Sequence, residues 1–370
     1  MVAQVPDEAS IPHRNGIAAI ITAYNIGPIL SDTILSVVTQ SDIEIDAVVL
    51  VVDGCKLTGT TRSISERFTR AYSNFHTIWL ENGGVSRARN IGVKWLLETF
   101  PALDAILMLD GDDLLSERTL SSTYETLCAA RERDPAAQVG WVYFDQVQFG
   151  ATANNLRYPQ TFSRNRWLGS NLSQPSCLYA TSLFHAGVFW DEAMRQGIED
   201  WEFWHSAMRA GFSGVYNGDV TLQYRQLNGN RSSTNRRKDS LTKRYMRSKH
   251  AELLAPKALL ESEAASFQRW AFYDFERETW RLTMDPALPG EDVGWDRVRD
   301  AFAARQSQYA THATMLHPYF PEYAALISPE LLAYLDDLKI VPNLLFMIEE
   351  KLLENQVVVI EFSETDAASI

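Results

Sequence analysis

DAILMLDGDDLLSERTL (Asp104–Leu120) runs apolar from Ile106 to Leu109 and then sets carboxylates at Asp110, Asp112 and Asp113. A short apolar run ending in acid reads as a buried strand that delivers its acids at the carboxyl end. Like charges this close repel, and none is buried cheaply without a partner. Carboxylate oxygens are hard ligands for Mg²⁺ or Mn²⁺, and magnesium is commonly held by one or two carboxylates plus substrate phosphates. Gly111 lets the backbone turn between the acids. The same residues also fit a solvated turn in which Asp112 or Asp113 caps the following helix.

Outward from this strand the chain alternates. GIAAIITAY (Gly16–Tyr24), DAVVLVVDG (Asp46–Gly54) and HTIWLE (His76–Glu81) precede it as strands. Between them GPILSDTILSVVTQ, with Leu30, Ile34, Val37 and Val38 on one face, TGTTRSISERF and GVSRARNIGVKWLLETF read as helices, and SERTLSSTYETLCAARER follows as a fourth. Four strand–helix alternations predict a parallel, Rossmann-like sheet, where ligands bind beyond the carboxyl ends of the strands. Tyr24, Asp53 and Asp110 all lie at those ends. Past about residue 135 the pattern changes to a strand (VGWVYFDQVQFG), a helix and turn (SLFHAGVFWDE), a helix (EDWEFWHSAMRAG) and a strand (VTLQYRQ). From Leu241 helix-like stretches are expected to dominate, broken by the connector MDPALPGEDVGWD and a late strand-like NQVVVIEF.

The totals exclude several classes. The 370 residues carry a formal charge of −13, with 46% apolar and 11% aromatic residues. That allows a large core and disfavours general binding to nucleic acid or anionic lipid, unless a local basic patch overrides it. Cys55, Cys128 and Cys177 are odd in number and show no CxxC spacing, which argues against a disulfide framework or a thiolate zinc site. MVAQVPDEASIPHRNG has no apolar centre for a signal peptide, and no run of eighteen apolar residues exists, so a cytoplasmic protein with at most peripheral membrane contact is expected.

Other residues could carry chemistry. The Asp53 carboxylate, in VVDG, can accept from the imide N–H of uracil or thymine or from guanine, or can belong to an ordinary Asp-Gly turn. Tyr24 can stack on a base or simply pack. ENGGVSRARNIGVKW places Arg87 and Arg89 after a Gly83-Gly84 turn, either an anion site or a turn followed by surface arginines, and no Walker loop or GxGxxG is present. GIEDWEFWHSAMRAGF sets Glu199 and Asp200 at a helix start, favoured there by the helix dipole, or as a general base beside aromatics that could bind a sugar face. His185 and His205 have no histidine three or four residues on, so histidine metal ligation is not expected. RSSTNRRKDSLTKRYMRSK (Arg231–Lys249) carries eight basic residues and one acid. It could clamp a diphosphate, meet an anionic acceptor, rest on a membrane surface, or be a solvated helix.

In order, IITAYN, VVDG, GGVSRARNIGV, LMLDGDD, LFHAGVFWDE, GIEDWEFWHSAMRAG and LQYRQLNGNRSS resemble the family-2 glycosyltransferases of the GT-A fold, over about residues 16 to 235. The resemblance implies an α/β fold with a Rossmann-like, nucleotide-binding mixed sheet flanked by helices. An N-terminal extension (1–15), a GT-A domain (16–240) and a mainly helical accessory region (241–370), which could support a homo-oligomer, complete the expected organisation. It further implies that Ala23, Tyr24 and Asn25 line the nucleotide base, that Asp53 reads it, and that Arg89 and Asn90 face nucleotide and sugar. Asp110 and Asp112 would lie towards ribose and metal, with Asp113 the closest metal ligand. Asp200 matches the catalytic base, and Glu199 would help hold a sugar. Arg225, Arg231 and Ser232 resemble the loop that closes over the diphosphate. The implied reaction is inverting, metal-dependent transfer from a nucleotide-diphosphate sugar, a UDP-sugar foremost, to a glycan or lipid-linked acceptor in bacterial-type glycan or glycoconjugate synthesis. One departure stands out: relatives often carry a histidine soon after the YR pair, where this chain has Leu227 and Asn228. Two alternatives are a non-catalytic nucleotide- or glycan-binding module on the same fold and a haloacid-dehalogenase-like phosphatase. Against the second, Leu114 stands where those enzymes carry Thr or Val, and three strands precede the motif.

Overall fold

The computed structural model describes residues 16–150, 155–159, 162, 164–195, 197–226, 236–255, 258, 270–274, 279–283, 291–294, 296–297, 311–314 and 357–364. The expected extension at 1–15 and the candidate residue Arg231 lie outside them. The chain divides into two compact units, Met1–Phe162 with Trp167–Ala251, and Ser163–Arg166 with Glu252–Ile370.

In the first unit the apolar runs become β1 (Gly16–Ala23), β2 (Ala47–Asp53), β3 (Phe75–Leu80) and β4 (Leu103–Asp110), alternating with α1 (Leu30–Val38), α2 (Thr58–Ala71), α3 (Val85–Thr99) and α4 (Thr119–Arg133). All four strands are parallel, in the order β3-β2-β1-β4. Every residue of β2 is buried, as a parallel strand covered on both faces requires. Register pairs Thr22 with Asp110 and Ala23 with Val52, so the exits of β1, β2 and β4 share one edge.

The second half of the sheet is mixed. It uses β5 (Leu114–Leu115), β6 (Val139–Gly150), β7 (Asn155–Leu156), β8 (Leu178–Ala180) and β9 (Ser213–Gln226), with α5 (Arg164–Gly169), α6 (Thr181–His185), α7 (Glu199–Arg209) and α8 (Arg236–Lys249). The order continues β4-β8-β6-β9-β5, with β7 on β6. β8 runs antiparallel to both neighbours, β9 parallel to β6, and β5 antiparallel to β9. The β5–β9 pairing, Leu114 with Gln223 and Leu115 with Leu222, folds the end of the acidic motif against β9.

α7 is rooted in an aromatic core. Trp204 stacks at 4.9 Å on Trp141 and 5.8 Å from Tyr179, and Phe203 stacks at 4.3 Å on Trp190. Trp204 is wholly buried, and Trp201 nearly so, with its Nε1 donating to the Trp167 carbonyl at 2.7 Å. The aromatics beside Glu199 and Asp200 therefore belong to the core, which corrects the expectation that they form a sugar platform.

The second unit holds β10 (Trp270–Asp274), β11 (Thr279–Thr283), β12 (Glu291–Val293), β13 (Thr311–Thr314) and β14 (Val357–Glu364), an antiparallel sheet ordered β12-β11-β10-β14-β13. The late strand was expected, but the mainly helical region is not what the described residues form past 270. WAFYD and TWRLT are rich in aromatic and β-branched residues, which suit a pleated surface, and they pair Trp270 with Thr283 as a ladder. Among the described residues no helix is long and apolar enough to cross a membrane.

Candidate active site

The site is built from the exit of β4. Asp110 accepts from the Thr22 hydroxyl on β1 at 3.0 Å and from Arg89 on α3 at 2.9 Å. The chain then turns at Gly111, whose N–H donates to the Thr22 carbonyl at 2.8 Å and whose carbonyl accepts from the Thr33 hydroxyl at 2.9 Å. A Cβ on Gly111 would stand 2.8 Å from the Thr22 carbonyl oxygen. Gly111→Ala should therefore force the two backbones apart and destabilise by about 1–3 kcal/mol, as overpacking typically does. A melting temperature within a degree of wild type in thermal denaturation would show that the turn has room to spare.

Past the turn Asp113 is 1% exposed, and its Oδ1 accepts the Arg225 backbone N–H at 2.9 Å. The Arg225 side chain donates from Nε to the Asp112 carbonyl at 2.9 Å and lies 4.8 Å over the Phe149 ring. Burial, then the charge of Asp110, pushes Asp112 up to about 6. Burial and the neighbouring Asp112 and Asp110 charges raise Asp113 well above the carboxylate range. Arg225 offsets both only partly. This local excess of negative charge on hard oxygen donors fits a divalent cation. Among the described residues no three Asp, Glu, His or Cys side chains converge as a metal cage, so a cation here would need further oxygens from a ligand, as magnesium commonly does.

Arg89 joins this end of the site to the other. It is 1% exposed, donates to Asp110 at 2.9 Å and to Glu199 at 3.2 Å, and sits 5.8 Å from the Trp190 ring. Burial alone would lower its pKa, but the two carboxylates outweigh burial and hold it above its ordinary value. Glu199 and Asp200 open α7 after two left-handed residues, Gly197 (φ 104°) and Ile198 (φ 56°). For a β-branched residue such as Ile198 that conformation costs roughly 1–2 kcal/mol. The helix therefore starts at an angle its own sequence resists, and this angle directs Glu199 to Arg89. Asp200 Oδ2 accepts from the Asn171 amide at 2.7 Å and its Oδ1 from the Trp201 N–H at 2.8 Å. Burial, then the charge of Glu199, pushes Asp200 up to about 6, against the Asn171 bond, which favours the charged form.

Tyr224 on β9 lies near acids from both ends of the site. Its phenol is pushed up to about 12 by burial and then by Asp113, Asp112, Asp110 and Asp200 together. Neither Tyr224 nor Asn171 stood among the residues expected from sequence. The signal available for Tyr224 was its place immediately before Arg225; for Asn171, 29 residues from Asp200, there was none.

Three expected ligand contacts look different in place. Both oxygens of Asp53 are engaged, with the N–H groups of Gly83 and Gly84 at 2.8 Å each, so Asp53 fixes the turn that starts α3. Asn90 is spent on the backbone of Trp190, donating to its carbonyl at 2.8 Å and accepting its N–H at 3.0 Å, and its amide also meets Glu192 at 3.1 Å. It braces α3, with both amide hydrogens and one lone pair of its oxygen engaged within the chain. Asn25, left-handed at φ 54°, accepts the Lys56 N–H at 2.6 Å and ties the exits of β1 and β2. Beside it Ala23 is buried, while Tyr24 stands 39% exposed on the same edge.

A parallel half-sheet continued by a mixed half, with acids at the shared edge, matches the GT-A fold. A solved structure of S. aureus TarS 1-349 in complex with UDP-GlcNAc matches it with a TM-score of 0.51 at 16% identity, over 67% of this chain and 71% of that one. Residues 18–191 match the family described as glycosyl transferase family 2. The uncharacterized glycosyltransferase EpsJ of Bacillus subtilis (strain 168) is 31% identical over 132 residues, 35% of this chain and 34% of EpsJ. The match thus spans about a third of that relative's length.

Proposed function

We propose that the chain transfers a sugar from a nucleotide-diphosphate sugar to an acceptor hydroxyl, with inversion at the anomeric carbon and with a divalent cation. The observation that carries this reading is the Arg89 bridge, which ties Asp110 of the acidic cluster to Glu199 of the Glu199-Asp200 pair. Binding alone would require no base, and Asp200 has the properties of one. A carboxylate held near 6 is ionised at neutral pH and basic enough to take the acceptor's proton as its oxygen attacks. Glu199, ion-paired with Arg89, serves orientation. No second carboxylate is needed as a nucleophile, and a single base implies inversion. Tyr24 offers the stacking face for the base at the edge where Asp53 holds the α3 turn. Arg225 places a guanidinium beside Asp112 and Asp113, where charge on a departing diphosphate would develop. Mg²⁺ or Mn²⁺ held by Asp112 and Asp113 would neutralise that same charge.

UDP-GlcNAc, the ligand of the TarS structure, makes UDP-sugars the first donors to test. In a thermal-shift series of nucleotide sugars with and without Mn²⁺, a donor at about 100 times its Kd adds about 2.7 kcal/mol to the native state. That should raise the melting temperature by about 5–10 °C, and more with the metal present. If no nucleotide sugar shifts the transition under either condition, the reading fails.

A further inference from the structure

α8 presents an exposed face that the proposed chemistry does not use. Its sequence, RRKDSLTKRYMRSK, holds seven basic residues and one acid in a chain whose formal charge is −13. At about 100° per residue, Leu241, Arg244, Tyr245 and Ser248 share one face, and all four are exposed. Met246 and His250 occupy the opposite face, where Met246 packs with Trp201 and Met194, and His250 and Lys249 reach Glu202 of α7 at 2.9 and 2.8 Å. Lys249 and the Tyr245 hydroxyl both reach Asp191, at 2.6 and 2.8 Å. The helix is thus fastened through Met246, Lys249 and His250, and by the Tyr245 hydroxyl on Asp191, while Leu241, Arg244 and Arg247 stay exposed.

The open side combines a large apolar group with cations. Leu241 is 65% exposed, the highest value among the exposed large hydrophobic residues described, and Tyr245, one turn on, is 45% exposed. Arg244 and Arg247 both lie to one side of Leu241 around the helix, exposed and without an ion-pair partner among the described residues. At physiological salt the field of the chain's distant acids is screened within about 8 Å, so the local cations set the interaction rather than the net charge. A solvated helix has no need of a large, mostly exposed apolar side chain beside its arginines, whereas a helix lying at a lipid interface uses both.

We propose that the exposed Leu241–Arg244–Arg247 side of α8 docks on an anionic membrane surface, with Leu241 entering the headgroup layer and the arginines meeting lipid phosphates. This deepens the transfer reading and rests on it only for the consequence that the acceptor alcohol is carried by that membrane. Since packed helices lie about 8–10 Å apart, such a surface would be one helix layer from α7 and Asp200.

The test is co-sedimentation of the full chain with phosphatidylglycerol/phosphatidylcholine vesicles and with pure phosphatidylcholine vesicles, at 0.1 and 0.5 M salt. Binding to the anionic vesicles alone, weakened by salt, is expected. The double variant Arg244→Glu, Arg247→Glu should lose about 10²-fold or more in vesicle affinity, given the worth of each basic residue near an anionic leaflet. Leu241→Ser should weaken the binding that remains at high salt. Both variants should keep the wild-type melting curve and the donor-induced shift, because these side chains lie outside the donor site. Equal binding to both vesicle types, or an unaffected double variant, overturns the proposal. Retention on poly-glutamate without vesicle binding overturns it in favour of an acidic protein partner. Vesicle binding is read without turnover, so failure of the transfer reading would appear separately, as absence of any donor shift.

Discussion

Asp200→Asn should abolish most turnover, lowering kcat by on the order of 10²–10⁴-fold, while the donor-induced thermal shift stays near wild type. The substitution keeps the shape and removes the basic oxygen that accepts the acceptor's proton. Asp200 is raised to about 6 by burial and by the Glu199 charge, and only its ionised form can act. Activity should therefore fall as pH drops through about 6, roughly tenfold per unit below it, and reach a plateau above. Asn171 donates at 2.7 Å to Oδ2 and favours the ionised form, so Asn171→Ala should move that limb to higher pH. A folding defect cannot mimic this outcome. A carboxyl raised in the folded state contributes stability that is present below its unfolded value and lost as pH rises through about 6. At pH 7, then, its charge is no source of stability for the variant to lose. Single-turnover kinetics across pH 5–8 check both points, and an Asp200→Asn rate within twofold of wild type would remove the base from this position.

The parallel half of the sheet was legible because buried parallel strands are long apolar runs, and the acids ending them could be read directly. Its continuation was not, since β5 and β8 are two and three residues long and carry no period. Asp110, Asp112, Asp113, Glu199 and Asp200 were found by type and place, but their meeting depends on Arg89, whose neighbours in sequence give no sign that it turns inward. Asn90 shows the same limit from the other side: an asparagine in a ligand-facing motif became a brace because Trp190, a hundred residues away, presents a bare backbone to it. The aromatics beside Glu199 and Asp200 could have offered a sugar face or packed, and Trp204 folds as core, since helical spacing shows which residues share a face but not what that face meets. In the second unit the short strands WAFYD and TWRLT escaped notice because the stretches around them read as helical and strands of five residues leave little pattern to oppose that reading.

Arg89→Ala should be the most destabilising single change in the site. The guanidinium is 1% exposed and already carries one cost, because its Nε has no hydrogen-bond partner among the described residues. Its return is the compensation of two carboxylates, Asp110 and Glu199, whose side chains are 31% and 15% exposed. Removing one partner of a buried ion pair typically costs 3–5 kcal/mol, because the other is left buried and unpaired. Asp110 can recover some hydration, so about 3 kcal/mol is the expected loss, a fall in melting temperature of about 6–12 °C. Arg89→Lys should recover only part of this, because an ammonium lacks the planar fork that reaches both acids. The triple variant Arg89→Met, Asp110→Asn, Glu199→Gln separates structure from chemistry. Replacing a whole buried ionic cluster with neutral groups is often neutral or stabilising, so its melting temperature should return towards wild type while transfer stays lost. A triple variant as unstable as Arg89→Ala would mean that the arginine acts by filling space, and an Arg89→Ala protein melting with wild type would mean that the two ends of the site are joined by something else.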